Sequence, residues 1–120
     1  MNRQEFILAL SNVVPSTVLV SKIKQVYECI IPNEVERIIS FNTNGIFLEG
    51  GAFCRLLCFD EILKAPEELH VNFKQYGIIP LFDIEDNNFI VFNFKKMIWE
   101  KFNIVDETSY GTKKSLSEIL

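Results

Sequence analysis

Histidine and tryptophan each occur once, as His70 and Trp99, cysteine occurs three times, and glycine is held to five positions. Each scarcity removes a chemistry. A Ser-His-Asp or Cys-His-Asp catalytic set would have to use His70, which falls in a stretch that reads as helix and loop, so a surface or capping place is expected for it. Cys29, Cys54 and Cys58 are an odd number, and only the last two are close in sequence, so reduced, buried thiols fit better than a disulfide framework. A zinc site built from these cysteines and His70 meets a geometric objection. Phe53 to Phe59 reads as a strand, which would set Cys54 and Cys58 about 13 Å apart along the chain. Gly50-Gly51 is the only glycine pair, and neither Lys-Ser/Thr nor a third glycine follows it, so no phosphate-cradling loop is indicated.

Long apolar runs are missing too. No uninterrupted stretch approaches the roughly 20 residues that a membrane-spanning helix needs. The segment from Met1 to Leu10 carries one early positive charge, an acid beside it and too short an apolar stretch for a signal peptide, so a cytoplasmic location is expected. Nor is there a repeat, a low-complexity tract or a Gly/Ser/Pro-rich linker, so the 120 residues read as one domain over 1-120. Positive charge is in deficit, with 12 Lys and Arg against 16 Asp and Glu and a net charge of -4. That balance opposes attraction to phosphate backbones and makes a basic protein partner electrostatically easier than nucleic acid.

What the chain does have is apolar surface, with 48% hydrophobic residues and 11 Phe, enough to offset the entropy lost on folding. Leu19, Ile23, Val26, Tyr27 and Ile30 fall three or four apart, which predicts a helix face with Ser16 or Ser21 as cap. Pro15 is expected to end a short helix over Phe6 to Leu10. Pro32 suits a first helical position, and Glu34 and Glu36 suit its positive end. Val35, Ile38 and Ile39 form the stripe of a helix near 32-41. After the turn Asn42-Thr43-Asn44-Gly45, Ile46 to Leu48 and Phe53 to Phe59 flank a hairpin turn at Glu49-Gly50-Gly51. Asp60 is placed to cap a helix carrying Ile62 and Leu63. Pro66 then opens a further turn or helix with Leu69, Phe73 and Tyr76, closed by Gly77.

Ile78 to Ile84, Phe89 to Phe94 and Met97 to Phe102 read as a three-strand antiparallel meander, its middle strand apolar enough to be covered on both faces. Phe89, Val91 and Asn93 should share one face, with Ile90, Phe92 and Phe94 on the other. Ser115-Leu116-Ser117-Glu118 has the spacing of a capping box.

Ile31-Pro32, Asn44-Gly45, Leu56-Leu57 ahead of Glu61-Ile62-Leu63, the segment from Gly77 to Asp83, and Asp86-Asn87-Asn88-Phe89 come in an order that resembles the SUKH (Smi/Knr) superfamily. The resemblance covers roughly residues 17-120. That superfamily includes bacterial immunity proteins and fungal cell-wall assembly regulators. The resemblance implies an α+β single domain in which helices pack around a twisted antiparallel sheet of about five to six strands. It also implies a binding role: neutralising a cognate polymorphic toxin, often a nuclease, by direct contact. A regulatory or scaffolding module without a toxin partner is the alternative. The resemblance carries over no catalytic residue, cofactor or metal ligand, so the chain is not expected to be an enzyme.

Carboxylates gather at Asp60-Glu61, Glu67-Glu68, Asp83 with Glu85-Asp86, and Asp106-Glu107. Most suit helix starts and solvated turns, and nothing marks any pair as a general acid and base. As candidates for contact with a protein partner the sequence offers Asp83, Glu85, Asp86, Asp106 and Glu107, whose charge would speed encounter with a basic surface. Tyr110 joins them as an aromatic in a polar stretch, whereas Trp99 is expected in the core.

Overall fold

The computed structural model describes residues 1-41 and 44-120, so the Asn42-Thr43 half of the expected turn lies outside the described residues. The fold is α+β. Three helices come first: α1 (Arg3–Leu10), α2 (Thr17–Tyr27) and α3 (Asn33–Phe41). A hairpin of two-residue strands follows, β1 (Ile46–Phe47) and β2 (Arg55–Leu56), then α4 (Phe59–Glu68) and the single turn α5 (Phe73–Tyr76). Strands β3 (Ile78–Asp83), β4 (Asn88–Asn93), β5 (Ile98–Asn103) and β6 (Thr108–Lys113) form a meander, and α6 (Leu116–Ile119) closes the order. The six strands make one antiparallel sheet in the order β1-β2-β3-β4-β5-β6. No helix among the described residues is long and apolar enough to cross a membrane.

β4 lies at the centre of the meander, and Phe89, Ile90, Val91, Phe92 and Asn93 are all buried, as a strand covered on both faces requires. On one face Phe102 meets Phe73 of α5 at 6.0 Å between ring centroids. On the other, Phe82 meets Phe6 of α1 at 5.7 Å, and the cross-strand pair Phe92 and Trp99 lies at 5.1 Å. Trp99 is 2% exposed and belongs to the core. Buried large side chains of this kind contribute about 1.5–3 kcal/mol each, which is what ties the helices to the sheet.

Several expectations need correction. The stripe of α2 is Val20, Ile23 and Tyr27; the helix stops at Tyr27 because Glu28 turns left-handed (φ 51°), leaving Ile30 83% exposed. α1 ends on its own cap, where the Ser11 hydroxyl donates to Leu8 O at 2.7 Å, and Pro15 lies beyond in the connection. α3 begins one residue after Pro32, with Val35, Ile38 and Ile39 buried as expected.

The strand expected over Phe53 to Phe59 shrinks to Arg55–Leu56. Cys58 is instead the cap residue of α4, and its N–H donates to the Glu61 carboxylate at 3.0 Å. Asp60 therefore sits inside the first helical turn, and the strand-based spacing of Cys54 and Cys58 does not hold. Pro66 lies within α4 and opens no new element. Gly77 does close α5: its φ of 70° is one that a side chain resists, and an added Cβ would meet Lys95 Cγ at 2.6 Å. The meander has four strands, because Thr108–Lys113 adds β6.

Candidate functional site

The direction of the meander decides where the charges go. Antiparallel strands bring the β3–β4 and β5–β6 turns to one end of the sheet and the β4–β5 turn to the other. Glu85, Asp86, Asp106 and Glu107 thus share one end, where Ile104 N–H donates to Asn87 O at 3.0 Å and joins the two turns. Lys95 and Lys96 occupy the opposite end, near Lys113, which pairs with Trp99. The sheet is electrically polarised along its strands.

At the acidic end a cleft of about 300 Å³ opens between the β3–β4 turn, β6, the β1–β2 connection and the N-terminal part of α1. Its walls include Glu85, Asp86, Asn88, Lys101, Tyr110, Arg3 and Phe53, with Ile84, Ile90 and Ile119 as apolar floor. Asn88 organises it. The Asn88 side-chain oxygen accepts from Tyr110 Oη at 2.8 Å and from Asn103 Nδ2 at 3.1 Å, while its amide donates to Asp86 O at 3.1 Å and Glu85 O at 3.3 Å. The turn it holds is strained: Glu85, Asp86 and Asn87 have φ of 82°, 55° and 65°. Non-glycine residues in that region cost on the order of 1 kcal/mol each, and runs of them persist only where neighbours over-determine the geometry. Here Asp83 Oδ1 accepts Glu85 N–H at 2.9 Å, and Ile84 N–H donates to Asn88 O at 3.0 Å.

Arg3 fixes the opposite wall. Its guanidinium donates to the carbonyls of Gly50 at 2.8 Å and Ala52 at 2.6 Å, clamping α1 to the hairpin connection. Phe53 is 37% exposed there and packs edge-on against Phe47, itself 60% exposed, at 5.5 Å. The arrangement is an open cleft with carboxylates, an exposed tyrosine hydroxyl, two cations and apolar surface, a mixture suited to holding a polypeptide segment.

The expected contact residues distribute unevenly. Glu85, Asp86 and Tyr110 line the cleft, with Tyr110 44% exposed. Asp106 and Glu107 are exposed in the neighbouring turn, and Glu107 accepts a 2.6 Å hydrogen bond from Tyr76 Oη, which raises the pKa of that phenol. Asp83 turns elsewhere, to Arg55 at 3.7 Å, beside the two-pronged pair in which Arg55 donates to Glu61 at 2.7 and 2.9 Å. That pair holds the Glu61 carboxyl down at about 2. Arg3, Asn88, Lys101 and Phe53 escaped sequence reasoning; the Arg3 carbonyl partner Ala52 is 49 positions away, and no local pattern announces such a contact.

His70 is exposed directly after α4, with φ of 55°. Burial pushes the Cys29 and Cys54 thiols up to about 11, and all three cysteines are free. Among the described residues no three His, Cys, Asp or Glu side chains come together as a metal site. Comparison with family models, with curated proteins and with solved structures returns no match.

Proposed function

We propose that this chain is a protein-binding immunity protein of the SUKH type, which neutralises a cognate toxin, often a nuclease in such systems, by direct contact and without catalysis of its own. The observation that carries the reading is the cleft at the acidic end of the sheet. Glu85, Asp86 and Tyr110 line it, and Asp106 and Glu107 flank it on a turn bonded to the same loop. A nuclease must carry positive charge to hold phosphate, so an inhibitor gains from negative charge that draws it to that surface and competes for it. The strained β3–β4 turn fits the same role, since a contact loop held rigid in advance loses little entropy on binding. The apolar floor and the exposed Phe47 and Phe53 supply surface to bury beside the charges.

The test is affinity between the purified chain and the polypeptide encoded beside its gene, measured at low and high salt. Binding should weaken as salt rises, and a Glu85→Lys, Asp86→Lys double variant should lose about tenfold or more. Absence of binding, or affinity indifferent to the charge reversal, overturns the proposal and leaves the scaffolding role in its place.

A further inference from the structure

The two edges of the sheet are finished differently. At one edge β1 is only two residues long, and the N-terminus lies along its continuation, with Glu49 N–H donating to Met1 O at 2.9 Å and Asn2 bridging Glu49. At the other, β6 spans six residues, pairs with β5 alone among the described residues, and every one of its residues is exposed. Antiparallel hydrogen bonding alternates from residue to residue. Carried across the registers from the bond of Phe94 N–H to Gly77 O, the alternation aims Thr108 and Tyr110 at Asn103 and Lys101 and leaves the Ser109 N–H and C=O facing outward. An open edge of this kind is a template for another strand.

Its charges select which strand. β6 is preceded by Asp106-Glu107 and runs into Lys113-Lys114, so acid stands at its start and base at its end. A second β6 laid antiparallel beside it meets base with acid at both ends. We propose that two copies of this chain pair through β6 about a two-fold axis, joining their sheets edge to edge. A register that sets Ser109 against Thr112 places Glu107 of each copy opposite Lys114 of the other. A parallel arrangement would oppose like charges. The interface is self-complementary and closes at two, because the remaining edge strand is only two residues long and its continuation at Glu49 is taken by the N-terminus. Gly111, with φ of 61°, lies at the register shift between β5 and β6, where one extra residue between Tyr110 and Lys113 lets Ser109 and Thr112 both face the open side. The cleft side chains stay clear of the new contact, since Tyr110 points across to Asn88.

Sedimentation velocity across micromolar concentrations tests the pairing. The mass should rise from 13.9 kDa to about twice that value. Glu107→Lys alone and Lys114→Glu alone each place two like-charge contacts in the dimer and should weaken it about tenfold or more, while the variant carrying both restores it. Ser109→Pro, which removes an outward N–H that no intrachain strand uses, should give monomer with an unchanged circular dichroism spectrum. A single-chain mass at every concentration overturns the inference, as does a dimer indifferent to the single charge reversals or a double variant that stays weakened.

Discussion

The Tyr27 hydroxyl donates to the carbonyl of Ile62 at 2.7 Å in a buried setting. Ile62 is four residues before Pro66, so its carbonyl is the one that an ordinary residue at position 66 would bond and that proline cannot. Tyr27 supplies the missing donor from α2, and burial raises its pKa above the ordinary phenol range. Local sequence breaks the ladder of α4 and tertiary packing repairs it.

Tyr27→Phe keeps the ring and removes only that donor, leaving a buried carbonyl unpaired. The expected loss is about 1–3 kcal/mol, read as a lower urea midpoint at unchanged slope. In a Pro66→Ala background the alanine N–H serves the Ile62 carbonyl, and the same substitution should cost less than about 0.5 kcal/mol. Equal losses in both backgrounds would show that the hydroxyl does not compensate for the proline.

Glu61 sets a pH dependence of known sign. Its carboxyl falls from 4.5 to about 2 in the fold, first because Arg55 donates to it. A depressed folded value means that the stabilisation is complete above about 4.5 and is lost as pH falls through the window down to about 2. The Glu61 side chain is 37% exposed, so screening reduces its share to on the order of 1 kcal/mol. Urea midpoints taken from pH 6 to pH 2 should fall less steeply for Glu61→Gln than for the parent chain, and parallel curves would remove Glu61 from the account.

The elements legible in the sequence are those whose residues serve one purpose. Val35, Ile38 and Ile39 face the core at helical spacing, and the run from Phe89 to Asn93 can only be a strand covered on both sides. Pro66 misled because its cost is met by Tyr27, 39 residues earlier in the chain. β6 was invisible because all six of its residues are exposed, so no apolar alternation marks it and only the ladder with β5 holds it. The acidic turns could be read from composition. That two of them meet at one end could not, since the second turn belongs to the β5–β6 hairpin and β6 carries no apolar alternation to announce it.

Asn93 and Glu100 form a buried polar pair inside that apolar sheet, each 5% exposed. Asn93 Nδ2 donates to Glu100 Oε1 at 3.0 Å, and its oxygen accepts the N–H groups of Lys95 at 3.0 Å and Lys96 at 2.9 Å, shaping the β4–β5 turn. Asn93→Ala strips the buried carboxylate of that donor and frees the turn, so a loss of about 3 kcal/mol or more is expected. Glu100→Gln still offers an acceptor and should cost about 1 kcal/mol. Thermal and urea unfolding of both variants check the ranking, and its reversal would place the stabilisation in the charge instead of the amide.

The strain at Glu85-Asp86-Asn87 separates what holds the contact turn from what the turn does. Asn87→Gly keeps every acidic residue and the backbone bond from Ile104, yet removes one side chain from the left-handed region, so stability should change by no more than about 0.5 kcal/mol in either direction. Asn88→Ala, by contrast, takes away the acceptor of Tyr110 and Asn103 and the donor to Asp86 and Glu85 together, for an expected loss of about 2 kcal/mol. Because both variants preserve the net charge, any loss of partner affinity they cause comes from the shape of the turn. Retained long-range attraction with faster dissociation in Asn88→Ala is the expected signature, since charge governs encounter and fit governs residence. Unaltered dissociation would mean that the partner is held by the charges alone.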